Sequence, residues 1–152
     1  MKRDEALASL SRDHHQTLVV AQRLRRADAG TAAAERERFL AHWTSHAREH
    51  FRIEEEVLLP AFAAYGDAHD PLVLRTLGDH VAIRQRADAL ADNPSPPVSD
   101  LHALGKQLAD HVRLEERELF PLIEQAMPPD ALTALATRLD EVESLLLAPP
   151  PE

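Results

Sequence analysis

Cysteine is absent from this chain, so disulfides, iron–sulfur clusters and thiolate zinc sites are all excluded. Glycine is scarce, with four residues, and aromatic residues make up 4%. Together with few β-branched residues, this leaves little material for a sheet. Basic residues are outnumbered, 17 Lys and Arg against 26 Asp and Glu, for a formal net charge of −9. An acidic surface argues against nonspecific nucleic-acid binding and gives no attraction to anionic lipid. No apolar run is long enough to span a bilayer. The opening Met-Lys-Arg-Asp-Glu lacks the apolar core of a signal peptide. The expectation is a soluble cytoplasmic protein, monomer or homodimer, with neither nucleic acid nor membrane as partner.

What is abundant is Ala, Leu, Arg and Glu, which favour helix, and the prolines gather between periodic segments. The class expected is all-α, as one domain over 1–152. Five helices are read: about Asp4 to Asp28, Ala32 to Tyr65, Pro71 to Ala91, Ser99 to Ala126 and Asp130 to Leu147. Gly30-Thr31, Gly66, the Asp92–Pro97 segment and Pro128-Pro129 separate them. Pro60 falls inside the second and should bend it. Short connections imply an up-down-up-down four-helix bundle over about 4–126. The additional C-terminal helix, about 130–147, carries Leu132, Leu135, Leu139, Val142 and Leu146 on one stripe and would cover one side of the bundle or make a dimer contact. The final Ala-Pro-Pro-Pro-Glu is expected to fray.

Nine histidines stand out beside one Trp and one Tyr. Two of them sit in a repeat. His50-Phe51-Arg52-Ile53-Glu54-Glu55-Glu56-Val57-Leu58-Leu59-Pro60 and His111-Val112-Arg113-Leu114-Glu115-Glu116-Arg117-Glu118-Leu119-Phe120-Pro121 share six of eleven residues at an offset of 61. Asp79-His80-Val81-Ala82-Ile83 more weakly matches the stretch around Asp13-His14-His15-Gln16-Thr17-Leu18. The chain reads as two helix hairpins related by a pseudo-two-fold axis.

His50 and Glu54, like His111 and Glu115, are four residues apart and share a helix face. Leu104, Leu108, Leu119 and Leu122 around His111 turn that face inward. Buried imidazoles and carboxylates need partners, since a lone buried charge is very costly. Two such stripes plus one histidine from each remaining helix would be satisfied by metal. Four imidazoles and two bridging carboxylates give each of two metals two nitrogens and two oxygens, with positions left open. Histidine and carboxylate ligation without thiolate fits iron or manganese, with zinc possible.

This doubled His-x-x-x-Glu-Glu-x-x-Leu-(Leu/Phe)-Pro text, with His15 and His80 on the alternate helices, resembles the hemerythrin-like, or HHE cation-binding, family over about residues 10–126. The resemblance implies two iron ions with carboxylate and oxo or hydroxo bridges, held by His15, His50, Glu54, His80, His111 and Glu115. It implies action on, or sensing of, O2, peroxide or NO; the alternatives are iron handling or iron-centre repair without turnover, and an inert metal-binding bundle. The family places an aliphatic residue three positions after the ligand: Ile83 follows His80 and Leu18 follows His15, whereas Thr17 follows His14, so His15 is the choice for the first helix and His14 the alternative. His46, one turn before His50, is expected to support the ligands or to serve as a fifth one. Arg84 stands where the oxygen-carrying members have a further histidine, and its charge near the site would favour reaction over reversible storage. Glu55 and Glu116 are expected in surface salt bridges. Glu118 would pair with a ligand histidine or Arg84, and His42, His69 and His102 are read as surface residues.

Overall fold

A computed structural model describes residues 2–146. The described residues form helices and no strands, and no helix is long and apolar enough to cross a membrane. A single 3-10 turn, Glu5–Leu7, leads into α1, Ala8–Arg25; the Asp4 side chain caps that turn by accepting from the Ala6 N–H. Helix α2 covers 32–63, α3 is Pro71–Asp92, α4 covers 98–126 and α5 is Pro129–Leu146. Asp70 caps α3 through the Leu72 N–H, with Pro71 at the first helical position where its missing N–H costs nothing. These spans lie within a few residues of those expected. The final Ala-Pro-Pro-Pro-Glu lies outside the described residues.

Wide turns precede Pro60, where a bend was expected, and Pro121. Helix α2 passes through π turns at Trp43–Ala47 and Glu54–Leu58, and α4 through one at Glu115–Leu119. In the latter two, Leu59 donates back to the Glu54 carbonyl and Phe120 to that of Glu115. A proline just beyond lacks the N–H for an ordinary bond and its ring crowds the preceding turn, so a widened turn ahead of it relieves both problems. The two turns ahead of the prolines begin on the repeated glutamates, Glu54 and Glu115.

The helices touch in the order α1–α2, α2–α3, α3–α4 and α4–α1, the last being the most extensive contact. Their inward faces form two apolar layers. One contains Leu7 of the 3-10 turn, Leu10 of α1, Leu58 of α2, Val73 of α3 and Phe120 of α4, and Leu132, Leu135 and Leu139 of α5 close over it. The other contains Leu24 of α1, Phe39 and Trp43 of α2, Ile83 and Leu90 of α3, and Leu104 and Leu108 of α4. The fifth helix therefore covers one apolar layer. Between the layers in sequence, on each of the four helices, sits a buried polar residue: His14, His50 with Glu54, His80, and His111 with Glu115.

The α1–α4 contact depends on Gly105. A Cβ there would stand 2.6 Å from the Ala21 carbonyl oxygen and 2.8 Å from Arg25 Cγ, whereas one on Gly78 would meet nothing within 4 Å. Gly105→Ala is expected to lower stability by about 1–3 kcal/mol through overpacking. Gly78→Ala, in mid-helix, should raise it by about 0.5–1 kcal/mol. Thermal melts of the two variants check the pair; equal midpoints would contradict the close approach.

Candidate metal centre

Seven polar or charged residues are buried among the described residues: His14, His50, Glu54, Thr76, His80, His111 and Glu115. Six of them converge. Glu54 presents its two oxygens to different partners. Its Oε2 lies 3.2 Å from His50 Nε2 and 3.8 Å from His14 Nε2; its Oε1 lies 3.1 Å from His80 Nε2. Glu115 mirrors this: Oε2 is 3.8 Å from His14 Nε2, while Oε1 is against His111 Nε2 and 3.9 Å from His80 Nε2. Each carboxylate thus spans the gap between a His14–His50 pair and a His80–His111 pair.

The outward nitrogens fix which way the imidazoles face. His14 Nδ1 donates to Glu116 (2.7 Å), His50 Nδ1 to Asp13 (3.2 Å), His80 Nδ1 to Glu55 (2.7 Å) and His111 Nδ1 to Asp79 (3.1 Å). A carboxylate accepts and does not donate when ionised, so each Nδ1 carries a proton and each Nε2 turns inward. In neutral imidazoles those four Nε2 atoms are lone pairs. His14 and His50 bring theirs within 3.3 Å of each other. Two lone pairs do not hold that approach without a proton or a cation between them. All four carboxylate oxygens of Glu54 and Glu115, with His80 Nε2 and His111 Nε2, have no hydrogen-bond partner.

The outer partners alternate between helices. Asp13 and Asp79 precede the inward histidines of α1 and α3 and reach the histidines of α2 and α4. Glu55 and Glu116 follow the inward glutamates and reach back to the histidines of α3 and α1. Arginines secure the glutamates: Arg84 donates to Glu55 (3.1 Å) and Arg3 to Glu116 (3.1 Å). Aromatic rings back two imidazoles, Phe51 stacking on His80 at 3.9 Å and Phe120 on His14 at 5.3 Å.

Several expectations change here. His15 is exposed, and His14 holds the inward place on α1. The buried stripe of that helix passes through Leu10, His14, Ala21 and Leu24, and His15 lies about 100° away from it. The residue three positions after the inward His14 is Thr17, whose hydroxyl meets His42 Nε2 at 3.2 Å. The signal that distinguishes the two is the dipeptide Asp-His, shared by Asp13-His14 and Asp79-His80. Glu55 and Glu116 hold imidazoles in addition to forming salt bridges. Arg84 is engaged by Glu55 and lies over the Trp43 and Phe51 rings, 5.9 Å from each, so its charge is neutralised outside His80. Glu118 and His46 are exposed and outside the cluster. His42 is half-buried, against its surface reading. His102 is exposed and bonds the Ala27 carbonyl at 2.7 Å, and His69 is exposed. Thr76 was not foreseen: it lies fully buried one turn before His80 with an unpartnered hydroxyl, where α1 has Leu10 before His14.

Without a cation, protons take the inward positions. Burial opposes charge on His50 most strongly, yet the Glu54 carboxylate and Asp13 outweigh it and raise its pKa to about 10. Against the same burial, Glu115, Glu54 and Glu55 raise His80 to about 11, and Glu115 and Asp79 raise His111 to about 9. His14 is also raised, with Glu116 and Glu54 outweighing its burial. Burial alone would raise Glu54, but His50 and its other partners hold it well below the usual carboxylate range.

The family model described as Hemerythrin HHE cation binding domain matches residues 5–123. The chain belongs to this family. No individual curated protein and no solved structure matches it. The buried histidines and glutamates include two groups close enough to hold a cation, Glu54 with His80, His111 and Glu115, and His14 with His50 and Glu54. The donor set fits: it offers inward nitrogens and unpartnered carboxylate oxygens at distances that one ion can satisfy together.

Two outcomes follow. His14→Ala should lose bound cation and His15→Ala should retain it, by elemental analysis of the folded proteins; the reverse would restore His15. The second concerns pH. The raised histidine pKa values give the chelated protein stability that is fully present below about 6.5, the unfolded value, and is lost as pH rises through about 9 to 11. Its melting temperature should fall over that window, and cation uptake at pH 7 should release protons. Uptake without proton release in a weakly buffered indicator solution would contradict the assignment.

Proposed function

We propose that the cluster holds two iron ions per chain, His14 and His50 on one, His80 and His111 on the other, with Glu54 and Glu115 bridging and an oxide or hydroxide completing the bridge. The protein then acts on, or senses, O2, peroxide or NO. The observation that carries this reading is the orientation of Glu54 and Glu115: four buried, unpartnered carboxylate oxygens turned toward two histidine pairs. A single ion would leave one pair and one set of oxygens uncompensated, and an uncompensated buried charge costs several kcal/mol. Family membership supports a cation; the histidine–carboxylate set supports iron or manganese over a purely oxygen-ligated ion.

The up-down-up-down bundle belongs to the same reading. It is supported by the order in which the helices visit the two apolar layers: α1 runs from the Leu10 layer to the Leu24 layer, α2 returns, and α3 and α4 repeat the pattern. Residues 1–152 then form one domain.

Two redox metals side by side would supply one electron each to a small oxidant. The chain's own part is to hold and shield. Asp13, Asp79, Glu55 and Glu116 fix the imidazole rings and their tautomers, which maintains ligand basicity. The apolar layers keep bulk water from the centre, so charge inside it is weakly screened. Arg84 and Arg3 hold Glu55 and Glu116 from outside. Since Arg84 is neutralised there, the preference for reaction over storage rests on the histidine and glutamate set alone.

The test is spectroscopic. Iron-loaded, anaerobically reduced protein is exposed to O2, to hydrogen peroxide and to NO in turn, and its absorption is followed as each is removed. Irreversible oxidation by O2 or peroxide, or a persistent NO adduct, is expected. A change that reverses fully when O2 is withdrawn would indicate storage, and no response to any of the three would indicate iron handling or an inert site.

A further inference from the structure

The two halves of the site differ in how they meet the surface. Between α1 and α2 a small recess is lined by Asp13, Gln16, Thr17, His42, His46, Ala47 and His50, so it reaches an inward histidine from outside. Its volume is about 10 Å³, close to that of one water. The groove of about 610 Å³ between the N-terminal segment and α5 touches none of the six clustered residues. Side-chain exposure agrees: His50 is 7% exposed against 2% for His111, and Asp13 38% against 25% for Asp79. In the other hairpin the corresponding places hold Ala82 and Ile83 for Gln16 and Thr17, and Ala103 and Leu108 for His42 and Ala47. The α2 side is polar where the α4 side is mostly apolar.

The backbone differs in the same place. The π turn at Trp43–Ala47 has no counterpart in α4, which runs as α-helix from Val98 to Leu114. A π turn changes the angular relation between residues on its two sides, here His42 and His50. His46 lies within this turn, exposed, with Nδ1 donating to the Ser45 carbonyl at 2.7 Å. A carbonyl only accepts, so Nδ1 carries the proton and a neutral His46 presents a free Nε2 lone pair, the form that ligates a metal. Behind it, Asp13 offers a carboxylate, and the Thr17–His42 bond closes the wall.

Resting on the reading of the cluster as a metal centre, we propose that this recess is the port through which divalent cations enter and leave, with His46 as the first captor and Asp13 as the next oxygen on the way to His50. The recess as it stands admits a water but not a hydrated ion. Passage therefore requires the Thr17–His42 hydrogen bond to open, a side-chain motion. The net charge of −9 draws cations to the surface as a whole, and the port supplies the place where ligands lead inward.

Cobalt(II) is a suitable probe because its visible absorption reports ligation. Chelated protein is mixed with cobalt(II) in a stopped-flow instrument, and release is followed by adding excess chelator to the loaded protein. Three variants are compared with the parent: His46→Ala, Thr17→Leu, and Gln107→Ala as the control at the place in α4 that matches His46. His46→Ala should slow uptake by roughly tenfold, the scale on which local electrostatic capture acts. Thr17→Leu, which plugs the recess, should slow uptake and release together and leave cobalt per chain unchanged. Gln107→Ala should do neither. Parental rates in both port variants, or equal slowing by Gln107→Ala, would overturn the port while leaving the metal centre intact. Failure of the parent to bind cobalt at all would overturn both. Circular dichroism of Thr17→Leu confirms its fold, and if that variant unfolds, His46→Ala at an exposed position decides the question.

Discussion

Two glutamates, Glu54 and Glu115, are fully buried and have four oxygens without a hydrogen-bond donor among them. Ionised carboxylates in a protein interior cost several kcal/mol each unless paired, a large share of the stability of a domain this size. The rest of the molecule is arranged around supplying that compensation. Four imidazoles point their Nε2 atoms at the carboxylates, four outer carboxylates hold the imidazoles in that orientation, and two arginines hold two of the outer carboxylates. The charge alternates outward in shells, and breaking one outer bond frees a ring whose direction the centre needs.

The backbone answers to the same constraint. Helices α2 and α4 must each project a histidine and, one turn later, a glutamate toward a single region. A widened turn starting at each glutamate, with a proline beyond it, lets the helix continue past that point. The repeated text of the two hairpins gives a nearly symmetric centre, and the symmetry is broken outside it. The additional π turn in α2, the His42–Thr17 contact and Thr76 in place of a leucine each give one half a feature the other lacks.

Much of this was legible in the sequence because it is periodic. The helix spans, the inward stripes and the pairs His50/Glu54 and His111/Glu115 follow from a 3.6-residue repeat and a duplicated motif. The first-helix histidine was not, because His14 and His15 are adjacent and the choice turned on a neighbour three residues away instead of on the aspartate one residue before. The roles of Glu55 and Glu116 were also hidden. A carboxylate 100° around a helix from the inward face reads as solvated, and only the position of the neighbouring helix shows that it meets an imidazole nitrogen. The pairing of Arg84 was hidden for the same reason: its charge is visible in sequence, whereas its partner Glu55 belongs to another helix.

The central claim is that the carboxylates bridge two ions. Native mass spectrometry of the chelated protein titrated with cobalt(II) or iron(II) counts ions on each folded chain directly. The account predicts saturation at two per chain, with the second bound through carboxylate oxygens already oriented by the first. Saturation at a single ion would contradict the bridging role of Glu54 and Glu115, and the absence of any bound ion would contradict the reading of the buried cluster as a metal centre.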